Sequence, residues 1–410
     1  MSSPVLNQAA RVLRLVQAGT PADQALRESL TQDRHFTAPV ARRAVSRVVF
    51  AYFRWWRWLE PKDSLQKQLE AAGALQARFE KNPSSFKPEA LAVRAVPDWL
   101  KDEIPWPESP AAAASTSASA VAGNGPQTPG DKRPYPTEAA WLRQLQREPT
   151  LWIRPKQGFA AGIISALGDC TPASLPQFPS LNPQLSALNY RGAPDLYRTP
   201  GFQSGQFEIQ DLASQLVGLA CAPKPGETWW DACAGEGGKT LHLTDLMQGK
   251  GMIWASDRSV RRLTKLKDRA SRAGVFNYRA ADWDGSARLP TKTKFDGVLV
   301  DAPCSGIGTW QRNPHARWTT SPEDVRELAA VQSRLLDHAA ASLKPGGRLV
   351  YSVCTLTRSE TTAVSDAFTT AHADFEPFQL SSLNVQRSTV FLWPHDLNAN
   401  GMFIAAWQRK

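Results

Sequence analysis

Three hydrophobic rhythms divide the chain. Over residues 5–95 apolar side chains return at three- and four-residue spacing. Val5, Ala9, Val12, Leu13 and Val16 form one such stripe, and Thr20-Pro21 ends that helix and opens the next. Residues 40–59 interleave Arg42, Arg43, Arg47, Arg54 and Arg57 with Val45, Val49, Phe50, Phe53 and Trp56, again at helical spacing. The rhythm stops at 107–133, where small residues, Ser, Pro and Gly cannot bury enough surface to offset ordering, so a linker or surface insertion is expected. Residues 141–155 read as helix and then extended chain, and 156–205 hold Pro, Gly and Ser with few long elements. After Gly226 short apolar runs alternate with helical stretches. TWWDACA (228–234), MIWASD (252–257), YRAADW (278–283), FDGVLVDAP (295–303) and GRLVYSVC (347–354) read as strands. Helices are expected over 239–247, up to 273, 322–343 and 359–370. This alternation predicts an α/β fold, a doubly wound and mostly parallel sheet. Residues 389–393 and 402–407 are placed to close it as an antiparallel hairpin.

At 410 residues the chain is long enough for two or three domains, and 42% hydrophobic with 21% charged residues is a globular balance. No stretch nears the ~18 unbroken apolar residues of a membrane span. The first thirty residues lack the ordered basic flank, apolar run and cleavage site of a signal peptide, so a cytoplasmic protein is expected. Five cysteines without a CxxC pair, and six scattered histidines, argue against a disulfide framework and a zinc site. Lys and Arg outnumber Asp and Glu 48 to 38, which directs attention to a polyanionic partner. Residues 1–100 carry 15 of the former and 9 of the latter. Their arginines are read either as the solvated face of a bundle or as a basic face for RNA phosphates.

The chemistry concentrates at strand ends. DACAGEGGKT puts Asp231 at the end of one strand, then Gly235, Gly237 and Gly238, then Lys239 and Thr240 opening a helix. Glycines let backbone approach a ligand, and a helix N-terminus offers unpaired N–H groups to an anion. The spacing is not that of a Walker loop. Asp257, Asp282 and Asp301 end the next three strands, and ligands of open α/β sheets bind at that edge. Singly each acid is a turn or cap residue; together they point to a nucleoside cofactor, without separating S-adenosylmethionine from NAD. Cys304 follows the fourth strand and Cys354 ends the fifth, so adjacent parallel strands would bring both sulfurs to the crevice of Asp301. A metal pair or a disulfide are the other readings of two such thiols. Cys170, Cys221 and Cys233 are expected to be buried and inert as thiols.

These motifs carry a resemblance. GQFEIQDLASQLV (205–217), DACAGEGGKT (231–240), Asp257 with Arg262, Asp282, FDGVLVDAPCSGIGT (295–309) and LKPGGRLVYSVCTL (343–356) resemble the RNA cytosine-5 methyltransferases of the RsmB/Sun type. The resemblance is strong over 200–410 and looser over 5–95, which looks like the NusB-like helical domain that RsmB-type enzymes carry in front. It implies an all-α NusB-like RNA-binding domain at 1–100 and a joining, RNA-contacting region at 134–204. A Rossmann-like S-adenosylmethionine methyltransferase domain at 205–410 then follows. It further implies Cys354 as the nucleophile that adds to carbon 6 of cytosine, Cys304 as the thiol that assists adduct breakdown, and Asp301 as the acid at nitrogen 3. Cys233, Ala234, Gly235, Glu236, Gly237, Gly238, Lys239, Asp257, Arg262, Asp282 and Asp301 become the cofactor contacts. A monomer without metal is expected. Ribosomal RNA is preferred to transfer RNA because of the domain order and because no further RNA-binding domain follows residue 410.

The departures are local. Gly235 and Glu236 stand where the family has Ala and Pro, and Glu236 would oppose a methionine carboxylate unless it points outward. Val353 replaces a Thr before the nucleophile, Asn400-Gly401-Met402-Phe403 replaces DGFF, and WIRP (152–155) stands where RVN is usual. Arg258, Arg261, Arg262, Lys265, Lys267, Arg269 and Arg272 are read mainly as a solvated helix face, and TWQRNPHARW (309–318) as a loop that clamps RNA, with packing of the domain as the other reading. Two rival readings are a non-catalytic RNA-binding protein that keeps the fold, and a DNA cytosine methyltransferase, for which Cys304 would be the nucleophile.

Overall fold

A computed structural model describes residues 3–33, 36, 38–105, 138–175 and 186–410. The expected linker at 107–133 lies outside the described residues. The N-terminal part is helical: α1 (Ser3–Gln17), α2 (Ala22–Gln32), α3 (Pro39–Trp55), α4 (Leu65–Lys81) and α5 (Pro88–Arg94). The stripe on α1 is what its period implies, with Leu6, Ala9, Val12 and Leu13 buried against α3 and α4. Trp55 at the end of α3 is fully buried, its indole N–H donating to Gln76 on α4 (2.9 Å) and its ring packed on Phe79 and Phe86.

Of the arginines on α3 and the turn after it, Arg42, Arg43, Arg47 and Arg57 stay exposed while touching neighbouring chain, and Arg54 is buried. Arg42 donates to the carbonyls of Phe36 and Leu30, Arg43 to those of Gly192 and Ala193, and Arg47 pairs with Glu148. Arg57 reaches Val93, Val96 and Asp98, and Arg54 is 1% exposed. Helical spacing placed them on a bundle, and contacts with neighbouring chain orient the exposed ones.

Helix α6 (Glu138–Gln146) leads into a small antiparallel sheet of β1 (Leu151–Pro155), β2 (Cys170–Pro172), β3 (Leu188–Tyr190) and β4 (Phe207–Ile209), ordered β2-β3-β1-β4, with α7 (Ala160–Leu167) beside it. Helix α8 (Leu212–Cys221), capped by Asp211, then opens the large sheet. Its strands are β5 (Thr228–Asp231), β6 (Met252–Asp257), β7 (Tyr278–Asp282), β8 (Phe295–Asp301), β9 (Leu343–Val353), β10 (Phe375–Pro377), β11 (Thr389–Leu392) and β12 (Met402–Arg409). The order is β10-β12-β9-β8-β5-β6-β7, with β11 paired to β12. The five strands read from the sequence run parallel, and β12 lies antiparallel against β9, β10 and β11. Between the strands run α9 (Gly238–Leu246), α10 (Val260–Arg272) and α11 (Pro322–Ala340), and α12 (Thr362–Ala371) follows β9.

The chain leaves β5 toward β6 and β7 on one side and β8 and β9 on the other, so the switch point lies over the end of β5. There β5 and β8 approach closely: a Cβ on Gly297 would come within 2.3 Å of the Trp229 indole.

The segment 309–318 decides how the helical part and the sheet meet. Ile307, Trp310, Val325, Leu356 and Trp393 share one apolar core with the N-terminal helices. Trp318 donates to the Phe53 carbonyl (2.7 Å) and meets Trp56 edge-on at 5.3 Å, while His315 packs on Phe53. Arg317 is fully buried and donates to the carbonyls of Ala95, Leu145 and Trp310. The RNA-clamp expectation for this segment is therefore corrected: its aromatics and Arg317 join domains, and Arg312 is its exposed cation.

Candidate active site

The loops after β5, β6, β8 and β9 converge. Gly235 (φ +55°) and Gly237 (φ +85°) make the turn from β5 into α9 in backbone conformations that side chains rarely adopt. A Cβ on Gly235 would meet nothing within 4 Å, so the turn presents bare backbone to open space. Asp257 accepts from the N–H groups of Gly235 (3.0 Å) and Ser259 (2.8 Å), with Arg262 3.9 Å away, and pairs in register with the exposed Asp282 on β7. A carboxylate has about four acceptor positions, so two backbone donors leave capacity for ribose hydroxyls. Glu236 points outward: its carboxylate pairs with Lys265 on α10 (2.5 Å), and Arg269 holds its carbonyl (3.0 Å). The departure at this position therefore removes no room from the turn.

Asp231 does not join the acids of the crevice. It pairs with Ala255 and Leu299, two residues short of Asp257 and Asp301, and is fully buried. Its Oδ2 accepts from Thr240 (2.7 Å), and burial pushes its acid up to about 7. The expectation of four acids in register fails here because β5 ends earlier than its neighbours.

Lys239, on the first turn of α9, donates to Asp301 Oδ2 at 2.6 Å, and Ser352 donates to Asp301 Oδ1 at 2.7 Å. Burial works against the Lys239 charge, but Asp301 beside it holds the ammonium above its ordinary value. Asp301 and Ser352 are register partners on β8 and β9, so the residues just beyond them also meet. Cys304 Sγ lies 3.3 Å from Cys354 Sγ. The hydrogen bond to Cys354, then burial, push the Cys304 thiol well above its ordinary value. The same hydrogen bond holds Cys354 below the ordinary thiol range against burial and Asp301, with Lys239 and Arg312 assisting. Either sulfur can donate to the other, and the cations Lys239 and Arg312 act on the Cys354 side of the pair, where positive charge favours a thiolate.

Val353 is fully buried in the sheet core opposite Phe403, so this departure exchanges a hydroxyl for packing. Asn400 and Gly401 form the turn beside the cysteine loops, where the Gly401 N–H donates to the Gly308 carbonyl (2.7 Å) and the Gly308 N–H to the Cys354 carbonyl (3.0 Å). In the basic helix α10, Arg269 and Arg272 are tied to Glu208 on β4, and Lys265 to Glu236. A cavity of about 580 Å³ between α3, α4 and residues 147–150 lies apart from the two cysteines.

The sequence pattern missed what surrounds the thiols: Ser352, Ser305, Thr355, Gln332 and Glu360. The available signal was a hydroxyl residue directly after each cysteine. The carboxylate these hydroxyls share lies 55 residues from one and 5 from the other, and no period marks it.

A doubly wound sheet with a Gly-rich turn at its switch point, acids at the neighbouring strand ends and a thiol pair on the next two strands defines a methyltransferase-type α/β domain. Residues 218–408 match the family described as 16S rRNA methyltransferase RsmB/F, and over that segment the chain is similar to methyltransferases of the RsmB/Sun type. The chain is 37% identical over 219 residues to the probable ribosomal RNA small subunit methyltransferase B of Bacillus subtilis, covering 51% of this chain and 49% of that protein. It is 36% identical over 194 residues to the mouse tRNA (cytosine(72)-C(5))-methyltransferase NSUN6, covering 43% and 40%. The chain thus spans about half or less of the length of these curated relatives. The crystal structure of PH0851 shares the fold over 100% of this chain and 99% of its own, with a TM-score of 0.73 and 21% identity. Among the described residues no helix is long and apolar enough to cross a membrane.

Proposed function

We propose that this protein methylates carbon 5 of a cytosine in RNA, with S-adenosylmethionine as the methyl donor. The observation that carries this reading is the thiol pair 3.3 Å apart beside the Lys239–Asp301 ion pair. Carbon 5 of an aromatic cytosine is a poor nucleophile. Addition of the Cys354 thiolate to carbon 6 breaks the aromaticity and makes carbon 5 enamine-like, while Asp301, kept in place by Lys239 and Ser352, meets the ring edge at nitrogen 3. S-adenosylmethionine supplies an electrophilic methyl group on its sulfonium. Residues 233–239 with Asp257, Asp282 and Arg262 are the groups that fit it: bare backbone for close approach, acids for ribose hydroxyls, and a helix N-terminus for the carboxylate. After methyl transfer a water molecule takes the proton from carbon 5, the C–H electron pair re-forms the 5,6 double bond, and the bond from carbon 6 to sulfur breaks with its pair returning to Cys354 as thiolate. Cys304 is the neighbouring group for this step, because it loses its hydrogen-bond acceptor once Cys354 is bonded to carbon. A base approached from both faces must leave its stack, so single-stranded or flipped RNA is the substrate form.

Small-subunit ribosomal RNA is the proposed substrate, on the description of the matched family and of the Bacillus relative. The mouse relative makes transfer RNA the alternative. The test incubates wild type, Cys354→Ala and Cys304→Ala with unmodified ribosomal and transfer RNA and methyl-labelled S-adenosylmethionine, then separates the nucleosides. Wild type is expected to place label in 5-methylcytidine, Cys354→Ala to place none, and Cys304→Ala to accumulate protein bonded to RNA. Full methylation by Cys354→Ala would overturn the mechanism. Absence of cofactor binding in wild type would favour the non-catalytic reading.

A further inference from the structure

Each cysteine of the pair is followed by a hydroxyl residue, Ser305 after Cys304 and Thr355 after Cys354, and both hydroxyls end on one carboxylate. Glu360 is fully buried. Its Oε1 accepts from the Ser305 N–H (2.8 Å) and Gln332 Nε2 (3.0 Å). Its Oε2 accepts from Ser305 Oγ (2.5 Å), Thr357 Oγ1 (2.8 Å) and Thr355 Oγ1 (3.1 Å). Gln332 on α11 also donates to the Pro303 carbonyl (2.9 Å), and the Tyr351 hydroxyl lies 2.7 Å from the Glu360 carbonyl. Among the described residues no Lys or Arg forms an ion pair with Glu360. Its two oxygens instead gather donors from the loop after β8, the loop after β9 and helix α11.

We propose that Glu360 is a positioning residue that clamps the two cysteine loops together and so holds Cys304 Sγ against Cys354 Sγ. The proposal rests on the reading of Cys354 as nucleophile. Its geometric basis is the shared carboxylate: besides it, the two loops meet through the Ser305 Oγ–Thr355 Oγ1 contact (2.9 Å), the sulfur pair and the Gly308 N–H on the Cys354 carbonyl, and Glu360 is the charged acceptor on which both hydroxyls converge. The charge acts in the same direction as the geometry. Glu360 stands on the Cys304 side, where it favours the protonated thiol, whereas Lys239 and Arg312 face Cys354 and Asp301 lies beside both cations' target. A neutral amide of the same shape keeps the packing but turns one acceptor into a donor aimed at Ser305 or Thr357.

The test is the full chain with Glu360→Gln, treated with iodoacetamide from pH 6 to 9, with labelling of each cysteine quantified on its own peptide. Wild type is expected to label Cys354 far ahead of Cys304. Glu360→Gln is expected to cut that preference at least tenfold and move the Cys354 midpoint to higher pH, with an unchanged circular dichroism spectrum. Preference within twofold of wild type, with the same midpoint, would overturn the proposal. If Glu360→Gln does not fold, Ser305→Ala and Thr357→Val each remove one donor and are expected to cut the preference about threefold. An unchanged preference in both would overturn the proposal equally. Methylation of RNA is scored separately. A wild type that labels as expected but methylates no RNA would sink the proposed function and leave the clamp standing. A methylating wild type with labelling insensitive to Glu360 would do the reverse.

Discussion

Lys239→Met tests how much the ion pair beneath the thiols contributes to the fold. Lys239 Nζ and Asp301 Oδ2 are 2.6 Å apart, with side chains 11% and 27% exposed. At an effective dielectric of about 20 their attraction at this separation is roughly 6 kcal/mol, most of which offsets the cost of taking both ions out of water. Removing one partner is a different quantity. Methionine fills the space of the lysine stem and leaves Asp301 with Ser352 as its remaining donor. Orphaning a buried charge costs about 3–5 kcal/mol, and the partial exposure of Asp301 places the expected loss at the lower end, about 3 kcal/mol. The assay is urea unfolding of cofactor-free protein followed by tryptophan fluorescence, with the midpoint compared at constant slope. Asp301→Asn on the Lys239→Met background removes the orphan, so the double variant should recover about 2 kcal/mol relative to the sum of the single changes. A Lys239→Met midpoint equal to wild type, or strictly additive losses, would refute the reasoning. In the same variant Cys354 should alkylate more slowly at neutral pH, since Lys239 is one of the charges favouring its thiolate.

Two further outcomes follow from groups in contact with the site. Asp231 is held at about 7 by burial, above its unfolded value of about 3.9. Its contribution to stability is therefore complete below that unfolded value and is lost as pH rises through about 7. Thermal melts of Asp231→Asn and wild type from pH 5 to 9 should diverge in the variant's favour on the alkaline side, and a difference independent of pH would contradict the buried-acid account. Gly308→Ala would place a methyl group 2.0 Å from the Gly401 carbonyl oxygen and 2.9 Å from that of Cys354. It should lower methylation at least a hundredfold by displacing the nucleophile's loop while cofactor binding, measured by titration, stays within threefold of wild type.

The legible part of this molecule is the part written in short periods. Strands β5 to β9 were visible as apolar runs, and the meeting of Cys304 with Cys354 followed from placing them at the ends of adjacent parallel strands. Of the small sheet only β1 was legible, as the extended chain ending at 155; β2 to β4 were not, because strands of three residues carry too little alternation to stand out from turns. Trp310, His315 and Arg317 show the opposite failure: aromatic and basic residues in a loop have the composition of an RNA contact, yet they face the helical domain. Composition records which groups a segment carries and is silent on what covers them.

By itself the sequence determined the α/β alternation, the Gly-rich turn, the strand-end acids and the two thiols, since each depends on neighbours a few residues apart. Only the tertiary structure decided that Asp231 is buried, that Glu236 turns outward, that Arg54 is buried while Arg42, Arg43 and Arg47 on α3 stay exposed, and that Glu360 joins the cysteine loops. Those outcomes depend on which distant groups satisfy a charge or a hydrogen bond once water is excluded. That choice is made by the packing of the whole chain, because an unpartnered polar group in the interior costs more than any local preference can return.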